Sequence, residues 1–506
     1  MNWKALQNGS DIRGVALEGV AGENVNLTSE VVRKIGVAFK KWLEKQFNSE
    51  KTGLKVGVGM DSRLSGPELK TAVCESLSAA GCTVYDCGLA STPAMFMSTI
   101  YNEFNFDGAI MLTASHLPFN RNGLKFFTKN GGLEKADISA ILELAEGVES
   151  EDYTHSQKIE TAGLMEVYAG SFVENIREKI NAENYNSPLA GFKIIVDAGN
   201  GAGGFYATEV IEKLGADITG SQFLDPDGNF PNHIPNPEDK AAMESIREAV
   251  IKNSADLGII FDTDVDRAAV VDNEGNPVNR NGLVALMAAI ILDEHPGTTI
   301  VTDSITSDGL QFFIEEKLKG KHHRFKRGYK NVINESIRLN KTGEESWLAI
   351  ETSGHAALKE NYFLDDGAYL VSKVVIKMAQ LKKKNRTILN LVEELPQPKE
   401  SSEVRMKINT GDFKSYGESV IDALRIFTEN STGWTVVPNN YEGIRVACDN
   451  NSGAGWFLLR LSLHDPVIPL NIESEKEGGV KEIAKTLVGF LNQFDKLDLS
   501  AFKKLK

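Results

Sequence analysis

The sequence predicts an α/β protein made of three similar α/β domains with mixed, mostly parallel sheets, followed by a C-terminal α+β domain. Its 506 residues exceed what a single hydrophobic core usually organises. An apolar strand that ends in Asp, then a turn and a helix, occurs three times, beginning at Lys55, Lys193 and Thr299. Such units favour parallel strands covered by helices, and recurrence at intervals of about 100 residues indicates related domains.

The C-terminal part has a different pattern. Residues 395–403 (LPQPKESSE) are rich in Pro, Ser and charge, which is typical of a linker. Strand-like segments follow at 434–437, 443–447 and 456–463, and a closing helix is predicted near 480–490. We therefore expect domains at residues 1–155, 156–273, 274–393 and 394–506, with the last able to move about the linker.

Composition limits the possible partners. The chain is 42% hydrophobic and 25% charged, as in an ordinary globular protein, and its net charge is −15. This acidic balance argues against nucleic-acid and anionic-membrane surfaces, which need clustered Lys and Arg. A small anionic substrate needs only a few cations and stays compatible with it.

The sequence also favours a cytoplasmic location. The longest apolar stretch, residues 284–292, is far shorter than the roughly 18 residues that span a bilayer, and we expect a buried helix there. The N-terminus lacks the apolar run of a signal peptide. The four cysteines show neither a metal-ligand spacing nor a disulfide-rich pattern, which indicates a reduced setting.

The first candidate site is the loop 113–125, which begins Thr-Ala-Ser-His. Ser115 follows the apolar strand 108–112, so it is expected at a strand end, where α/β proteins bind ligands. A serine there can be a nucleophile or a phosphoryl carrier, with His116 and Lys125 close enough in sequence to balance its charge. An ordinary turn is the alternative, since Ser, Pro, Asn and Gly favour turns.

The second candidate site is an acidic loop between two apolar runs. Asp262, Asp264 and Asp266 alternate there and can converge on one hard cation, and without it they would repel each other. An EF-hand is excluded, because its sixth position would be Arg267 and its twelfth Asn273. Mg²⁺ suits a loop with few protein ligands. The alternative is a solvated acidic hairpin.

Two further loops carry groups that suit a phosphorylated sugar. Glu351, Ser353 and His355 lie on one short loop after a predicted strand and can bind sugar hydroxyls. Arg460 can grip a phosphate with two N–H groups, and Ser462 can complete that contact. Each loop alone is equally compatible with an ordinary loop or an exposed strand end.

Taken in order, these motifs resemble the α-D-phosphohexomutase family, which includes phosphoglucomutases and phosphomannomutases. The resemblance covers essentially the whole chain. It consists of a start motif at 10–14, a phosphoserine loop at 113–125, a metal loop at 262–267, a sugar loop at 351–355 and a phosphate loop at 460–464.

The resemblance implies an isomerase that interconverts hexose 1-phosphate and hexose 6-phosphate, with glucose and/or mannose as the sugar. Phospho-Ser115 would donate its phosphoryl group to the free hydroxyl, and the resulting bisphosphosugar would turn over and return its other phosphoryl group. The catalytic residues implied are Ser115, His116, Lys125, Arg13, Arg267 and Lys330. The substrate-binding residues implied are Glu351, Ser353, His355, Arg460, Ser462 and His464.

The resemblance also implies cofactors and partners. One Mg²⁺ per chain would be held by Ser115, Asp262, Asp264 and Asp266, and a bisphosphate of the glucose 1,6-bisphosphate type would act as activator. Lys125 or His116 would carry the proton of the sugar hydroxyl. The expected partner is a small hexose phosphate, with no nucleic acid or membrane, and the chain is expected to be a monomer or weak dimer.

Four positions depart from the family pattern. Leu117 stands where the family usually has Asn, and Leu463 and His464 replace small polar residues of the phosphate loop. Ile305 lies about where some members carry Lys, whereas 328–330 fits the lysine-bearing G-x-K loop.

Two other functions are compatible with parts of the sequence. Residues 259–265 fit the strand-D-x-D-x-[T/V] signature of haloacid-dehalogenase-type phosphatases, with Asp262 as nucleophile. A non-catalytic homologue that binds sugar phosphates is the second alternative, supported mainly by Leu117 and Leu463.

Overall fold

The computed structural model describes residues 2–47, 53–149, 159–462 and 465–505. The chain divides into two units, one formed by Met1–Ile290 with Ser353–Leu391 and the other by Ile291–Thr352 with Val392–Lys506. Each unit is described by itself.

The secondary structure alternates strands and helices up to about residue 390 and is richer in strands beyond it. The α-helices of the described residues are α1 (Ser29–Gln46), α2 (Gly66–Ala79), α3 (Thr92–Met97), α4 (Lys135–Glu146), α5 (Leu164–Ile180), α6 (Lys240–Asn253), α7 (Arg280–Glu294), α8 (Asp308–Phe312), α9 (Tyr329–Lys341), α10 (Gly367–Lys382), α11 (Phe413–Glu429) and α12 (Gly479–Leu491).

The strands fall into several sheets. Those before residue 280 are β1 (Gln7–Asn8), β2 (Asp11–Val15), β3 (Lys55–Met60), β4 (Thr83–Leu89), β5 (Gly108–Leu112), β6 (Arg121–Thr128), β7 (Gly131–Gly132), β8 (Ile159–Thr161), β9 (Ile194–Asp197), β10 (Leu257–Phe261), β11 (Ala268–Asp272) and β12 (Pro277–Val278). The later ones are β13 (Thr299–Thr302), β14 (Lys321–Arg324), β15 (Leu348–Ile350), β16 (Ala356–Leu358), β17 (Leu364–Asp365), β18 (Glu400–Ile408), β19 (Trp434–Val436), β20 (Ile444–Cys448), β21 (Gly455–Leu459), β22 (Val467–Ser474) and β23 (Leu497–Asp498).

The first unit begins with a mixed sheet in the order β1-β2-β6-β5-β3-β4-β8, and β7 pairs with β6. β5, β3, β4 and β8 run parallel, whereas β6 and β2 are antiparallel to their neighbours. Apolar residues of α1, α2 and α4 pack on the sheet, and Phe39 of α1 contacts Phe126 of β6 at 4.9 Å between ring centroids. The carboxyl end of the central strand β5 is therefore held in a rigid core.

A second sheet of the first unit has the order β12-β11-β10-β9. β9 and β10 are parallel, and β10 and β11 form an antiparallel hairpin in which every residue is buried. Continuous apolar runs of this kind suit strands covered on both faces. The helix predicted after β9 through Leu214 is instead a π-helical segment at Tyr206–Ile211 and a 3₁₀ turn at Glu212–Leu214.

The second unit contains a parallel group of strands and an antiparallel sheet. β13 pairs with β14 and β15 in parallel, and the helix predicted after β13 consists of α8 and a π-helical segment at Phe313–Lys317. The C-terminal sheet has the order β19-β20-β21-β22-β18-β23, packed against α11 and α12. β18 begins at Glu400, so this strand takes the end of the segment predicted as a linker.

These observations confirm the predicted fold class of three α/β domains with mixed sheets and a C-terminal α+β domain. The α/β sheets combine parallel with antiparallel pairs, whereas the strands of the C-terminal sheet pair antiparallel. The four cysteines are free and buried. Among the described residues, no helix is long and apolar enough to cross a membrane.

A buried histidine should make the stability of the first unit depend on pH. His233 Nε2 lies 3.0 Å from Asp197 Oδ2, and Nδ1 lies 2.9 Å from Ile234 O. Burial lowers the pKa of His233, but the hydrogen bond and charge of Asp197 outweigh it and raise the pKa overall. The imidazolium therefore stabilises the fold fully below about pH 6.5 and loses that effect as pH rises through the higher folded-state pKa.

We expect His233→Gln to lower the melting temperature more at pH 6 than at pH 9. At pH 6 the variant loses hydrogen bonds of a charged group, each worth about 1.5–3 kcal/mol. Thermal unfolding of both proteins at the two pH values measures the difference. A difference that is equal at both values, or larger at pH 9, would contradict the assignment.

Candidate functional site

Ser115 lies in a strained turn directly after β5. Its φ is 51°, in the left-handed region that residues other than glycine rarely adopt, and it is 4% exposed. Its Oγ donates to Asp262 Oδ2 at 3.1 Å, although the two residues are 147 positions apart in the chain. Strain of this kind persists where the surrounding structure enforces it, typically at functional sites. The predicted proximity of Ser115 to the acidic loop is therefore present.

The acidic loop connects β10 to β11. Val265 within it has a φ of 67°, which is unfavourable for a β-branched side chain. The tight turn orients the three carboxylates of the loop toward one another, and Asp262, Asp264 and Asp266 each offer an oxygen within 4.8 Å of the others. The sequence pattern and the fold thus agree on a cluster of three buried carboxylates.

Some carboxylate oxygens of this cluster have no hydrogen-bond partner in the described structure and could bind a cation. Lys125 Nζ donates to Asp266 Oδ2 at 2.5 Å and to Asp264 Oδ2 at 3.2 Å, and Thr92 Oγ1 also donates to Asp264 Oδ2. Asp264 Oδ1 and Asp266 Oδ1 are buried and have no hydrogen-bond partner among the described residues. Unsatisfied buried carboxylate oxygens are costly, and oxygen ligands are those that Mg²⁺ prefers. The donor set therefore fits a hard divalent cation.

The carboxyl groups of this cluster have very different pKa values, because burial and neighbouring charges affect them differently. Burial, followed by the charge of Asp266, raises the pKa of Asp262 well above its usual range. Burial also opposes ionisation of Asp266, but Lys125 and His355 outweigh it and hold its pKa below the usual range. Carboxylates this close cannot all ionise cheaply without a cation.

Arg267 connects the acidic loop to the serine loop. Its Nη2 donates to Ser115 Oγ at 3.1 Å, to Asp262 Oδ2 at 3.0 Å and to His116 Nδ1 at 2.6 Å. Burial, followed by the charges of Arg267 and Arg13, lowers the pKa of His116 to about 3, so this imidazole is neutral at pH 7. A phosphoryl group on Ser115 would meet a guanidinium already in place.

Arg13 lies on β2, paired across from Gly123 of β6. Its Nη2 donates to Asp11 Oδ2 at 3.0 Å, and its charge contributes to the low pKa of His116. The start motif is therefore beside the serine loop.

The sugar loop is divided between the two units. In the first unit, Ser353 Oγ is buried without a hydrogen-bond partner in the described structure, and His355 Nδ1 forms a short hydrogen bond with Asp365. Burial lowers the pKa of His355, but the negative charges of Asp365 and then Asp266 outweigh this effect and raise the pKa to about 9. In the second unit, Glu351 Oε1 accepts from Gly328 N at 2.6 Å.

The remaining predicted residues lie in the second unit. Lys330 is near the start of α9. Arg460 is 6% exposed, its Nη1 lies 3.9 Å from Glu442 Oε1, and its Nε is buried without a partner among the described residues. Ser462 Oγ accepts from Asp465 N at 3.3 Å. His464 and Leu463 lie outside the described residues.

Sequence reasoning missed Arg63, which holds the serine loop in place. This residue is 1% exposed and donates to four backbone carbonyls, those of Ser115, Leu117 at 2.6 Å, Pro118 at 2.8 Å and Arg121 at 2.9 Å. Its Nε lies 3.4 Å from Asp61 Oδ2. The sequence does contain a signal for Arg63. It closely follows Asp61 at the end of a predicted strand, and a nearby carboxylate is what allows an arginine to be buried.

We expect Arg63→Met to lower the free energy of unfolding by about 3–5 kcal/mol, the usual cost of removing one partner of a buried ion pair. The four carbonyls would lose their donor, so Ser115 should also lose its position and activity should fall. Chemical denaturation and a turnover assay measure the two effects. Arg33→Met is the matched control, since Arg33 makes a partly exposed pair with Glu75 and such pairs contribute little. Equal stability of the two variants would contradict the role given to Arg63.

Comparison with known proteins adds an independent observation. Family models match three successive parts of the chain, described as phosphoglucomutase/phosphomannomutase alpha/beta/alpha domain I over residues 4–152, domain II over 170–275 and domain III over 279–398.

Individual proteins match over most of the chain. A phosphomannomutase/phosphoglucomutase from Pseudomonas putida is 32% identical over 434 residues, which cover 85% of this chain and 85% of the relative. A phosphoglucomutase/phosphomannomutase from Thermococcus kodakarensis is 30% identical over 478 residues, covering 94% and 97%. The solved structure of a phosphoglucomutase/phosphomannomutase family protein from Burkholderia thailandensis has a TM-score of 0.77 at 28% identity, covering 96% of each chain.

Proposed function

The chain belongs to the phosphoglucomutase/phosphomannomutase family, and from this premise we propose that it interconverts the 1- and 6-phosphates of glucose and/or mannose through phospho-Ser115. It is an isomerase of sugar phosphates. The main support for the role of Ser115 is the position of its hydroxyl. Ser115 Oγ lies 3.1 Å from Asp262 Oδ2 and 3.1 Å from Arg267 Nη2.

In the proposed reaction, Ser115 alternately donates and accepts a phosphoryl group. The free hydroxyl of the sugar attacks phosphorus, the bond between phosphorus and Ser115 Oγ breaks, and a bisphosphosugar forms. After the sugar has turned over, Ser115 Oγ takes the other phosphoryl group, so the phosphoenzyme is regenerated. Arg267 would hold oxygens of the phosphoryl group, since its Nη2 already donates to Ser115 Oγ.

Lys125 or His116 would move the proton of the sugar hydroxyl. The pKa of about 3 makes His116 a weak base at neutral pH, and Lys125 would have to release a proton before it could accept one, because its Nζ donates to Asp264 and Asp266. Arg13 would add positive field at the serine loop. Lys330 would contribute positive charge from the G-x-K loop.

Asp262, Asp264 and Asp266 would hold one Mg²⁺ together with the group on Ser115. Bound there, the ion would supply positive charge that stabilises the transferring phosphoryl group. We further propose that a glucose 1,6-bisphosphate-type sugar activates the enzyme by phosphorylating Ser115.

Glu351, Ser353 and His355 would bind sugar hydroxyls, and Arg460, Ser462 and His464 would bind the phosphate that is not reacting. The unpartnered Ser353 Oγ and Arg460 Nε support this assignment, because buried polar groups without partners are expected where a ligand completes them. Such an anchor would let one site accept either end of the sugar.

We propose domains at residues 1–155, 156–273, 274–393 and 394–506. Family matches with similar limits support the first three. We also propose a cytoplasmic monomer or weak dimer with a hexose phosphate as its partner, and no nucleic acid or membrane. The free, buried cysteines support a reduced compartment.

The phosphatase alternative is not favoured. It would use Asp262 as nucleophile, but Asp262 Oδ2 already accepts hydrogen bonds from Ser115 and Arg267. The family matches extend over three domains and most of the chain, which a single acidic motif does not explain, and they favour an active mutase over a non-catalytic homologue.

Phosphorus NMR of the full chain tests the proposal. With Mg²⁺ and a catalytic amount of glucose 1,6-bisphosphate, glucose 1-phosphate and mannose 1-phosphate should give 6-phosphate signals. Release of inorganic phosphate as the main product would favour the phosphatase. No change in either substrate would refute the mutase proposal for these two sugars.

A further inference from the structure

The second unit contains a cavity that none of the predicted site residues lines. Its volume is about 170 Å³, and it lies between the segment from β13 to Phe325 and the C-terminal segment that includes 437–441. Pockets for drug-sized organic ligands usually have about 300–1,000 Å³. The space therefore suits a small ion or a few water molecules.

The wall of this cavity carries two guanidinium groups and two imidazoles. It includes two arginines and two histidines, Arg324, Arg445, His322 and His323, and none of the described residues that line it is acidic. In a chain with a net charge of −15, such a lining is unexpected. Buried positive charge is normally paired with negative charge.

The two arginines share one carboxylate as their ion-pair partner. Arg324 Nη2 and Arg445 Nη2 share one carboxylate oxygen, Asp308 Oδ1, at 3.0 and 2.9 Å. Arg445 is 3% exposed and lies over the ring of Trp456, 3.5 Å from its centroid. Burial, followed by the charge of Arg324, lowers the pKa of Arg445 to about 9. Asp308 is the carboxylate that both guanidinium groups contact, and the charge of Glu473 also favours their ionised forms.

Donors without partners remain at the cavity wall. Arg445 Nε is buried and has no hydrogen-bond partner in the described part of the chain, and the same is true of His322 Nδ1. His322 Nε2 lies 2.8 Å from Thr302 Oγ1. When Nε2 accepts from this hydroxyl, Nδ1 carries the hydrogen and becomes a second donor. Arg445 and His322, which both line the cavity, therefore each keep a donor that no described residue satisfies.

We propose that this cavity binds a tetrahedral oxyanion, free phosphate or sulfate, between Arg445 and His322. The ion would accept hydrogen bonds from these unpartnered donors and add negative charge beside the two guanidinium groups. The site is separate from the proposed phosphate loop, since neither Arg460 nor Ser462 lines it. Its walls come from two parts of the second unit, so the bound ion would link the β13–β14 region to the C-terminal sheet.

Calorimetric titration of the full chain with inorganic phosphate tests this site. Arg460→Met weakens the proposed substrate anchor. In this background, adding Arg445→Met should reduce the affinity of one phosphate site about tenfold or more, whereas phosphate bound near Arg267 should be unaffected. Arg405→Met is the matched control, because Arg405 lies on β18 with 52% of its side chain exposed, and it should change nothing.

A second variant and a second ligand complete the experiment. If Arg445→Met does not fold, as judged by circular dichroism, His322→Phe replaces it, since that change removes Nδ1 but keeps a ring. Glycerol phosphate should bind the Arg445-dependent site more weakly than free phosphate does, because the cavity is small. Equal phosphate binding by the Arg445 variant and the Arg405 control would overturn the proposal, and so would equal binding of glycerol phosphate. These measurements do not require turnover, so their outcome is independent of the mutase proposal.

Discussion

Replacing Ser115 by Ala is expected to abolish turnover, with a loss of at least about 10³-fold, the scale seen when an enzyme loses its nucleophile. The variant has no oxygen to carry the phosphoryl group, so neither half of the proposed reaction can proceed. Its fold should be unaffected, because the hydrogen-bond partners of the hydroxyl in the described structure are side chains, those of Asp262, Arg267 and His116. Phosphorus NMR with glucose 1-phosphate measures the loss.

Intact-protein mass gives an independent measure of the same change. After incubation with glucose 1,6-bisphosphate and Mg²⁺, the natural chain should carry a phosphoryl group on Ser115, and the variant should carry none. Ser139→Ala, on the exposed face of α4, is the matched control and should retain both activity and the modification. Full turnover by the Ser115 variant would refute the phosphoserine mechanism.

Replacing Asp264 by Asn should weaken Mg²⁺ binding by at least about 100-fold, the upper range reported for loss of residues that only support metal ligands. Asp264 combines a buried oxygen that has no partner in the described structure with a second oxygen that accepts from Lys125. The amide removes the charge at nearly constant volume. Turnover at low Mg²⁺ should fall in parallel, and calorimetric titration measures the affinity.

Asp272→Asn is the matched control for the metal site. Asp272 is also buried, at the other end of β11, but its Oδ1 accepts from the backbone of Glu274 and Asn276 in a turn. Its variant should bind Mg²⁺ normally. Treatment with a chelator should abolish turnover of the natural chain, and added Mg²⁺ should restore it. Unchanged affinity in the Asp264 variant would contradict the assignment of this carboxylate as a ligand.

The sequence predicted the centre of the site better than its support. Ser115 and the three aspartates stand at strand ends in recognisable motifs, which made them candidates. That they share one site was implied by the family resemblance, since they follow strands of different sheets. The role of Arg63 was not predicted, because it depends on the positions of four backbone carbonyls, and no residue pattern reveals those positions. The π-helical segment at Tyr206–Ile211 was predicted as an ordinary helix, because hydrophobic spacing does not distinguish the two.

The placement of Ser115 and Asp262 on different sheets has a consequence for how the protein becomes active during folding. Neither sheet alone holds both halves of the centre, and their contact joins residues 147 positions apart. Chains in which the two sheets have formed but have not yet docked would show native secondary structure without catalysis. In a refolding experiment, turnover should therefore recover no earlier than the docking of these two sheets, and so not before the circular dichroism signal.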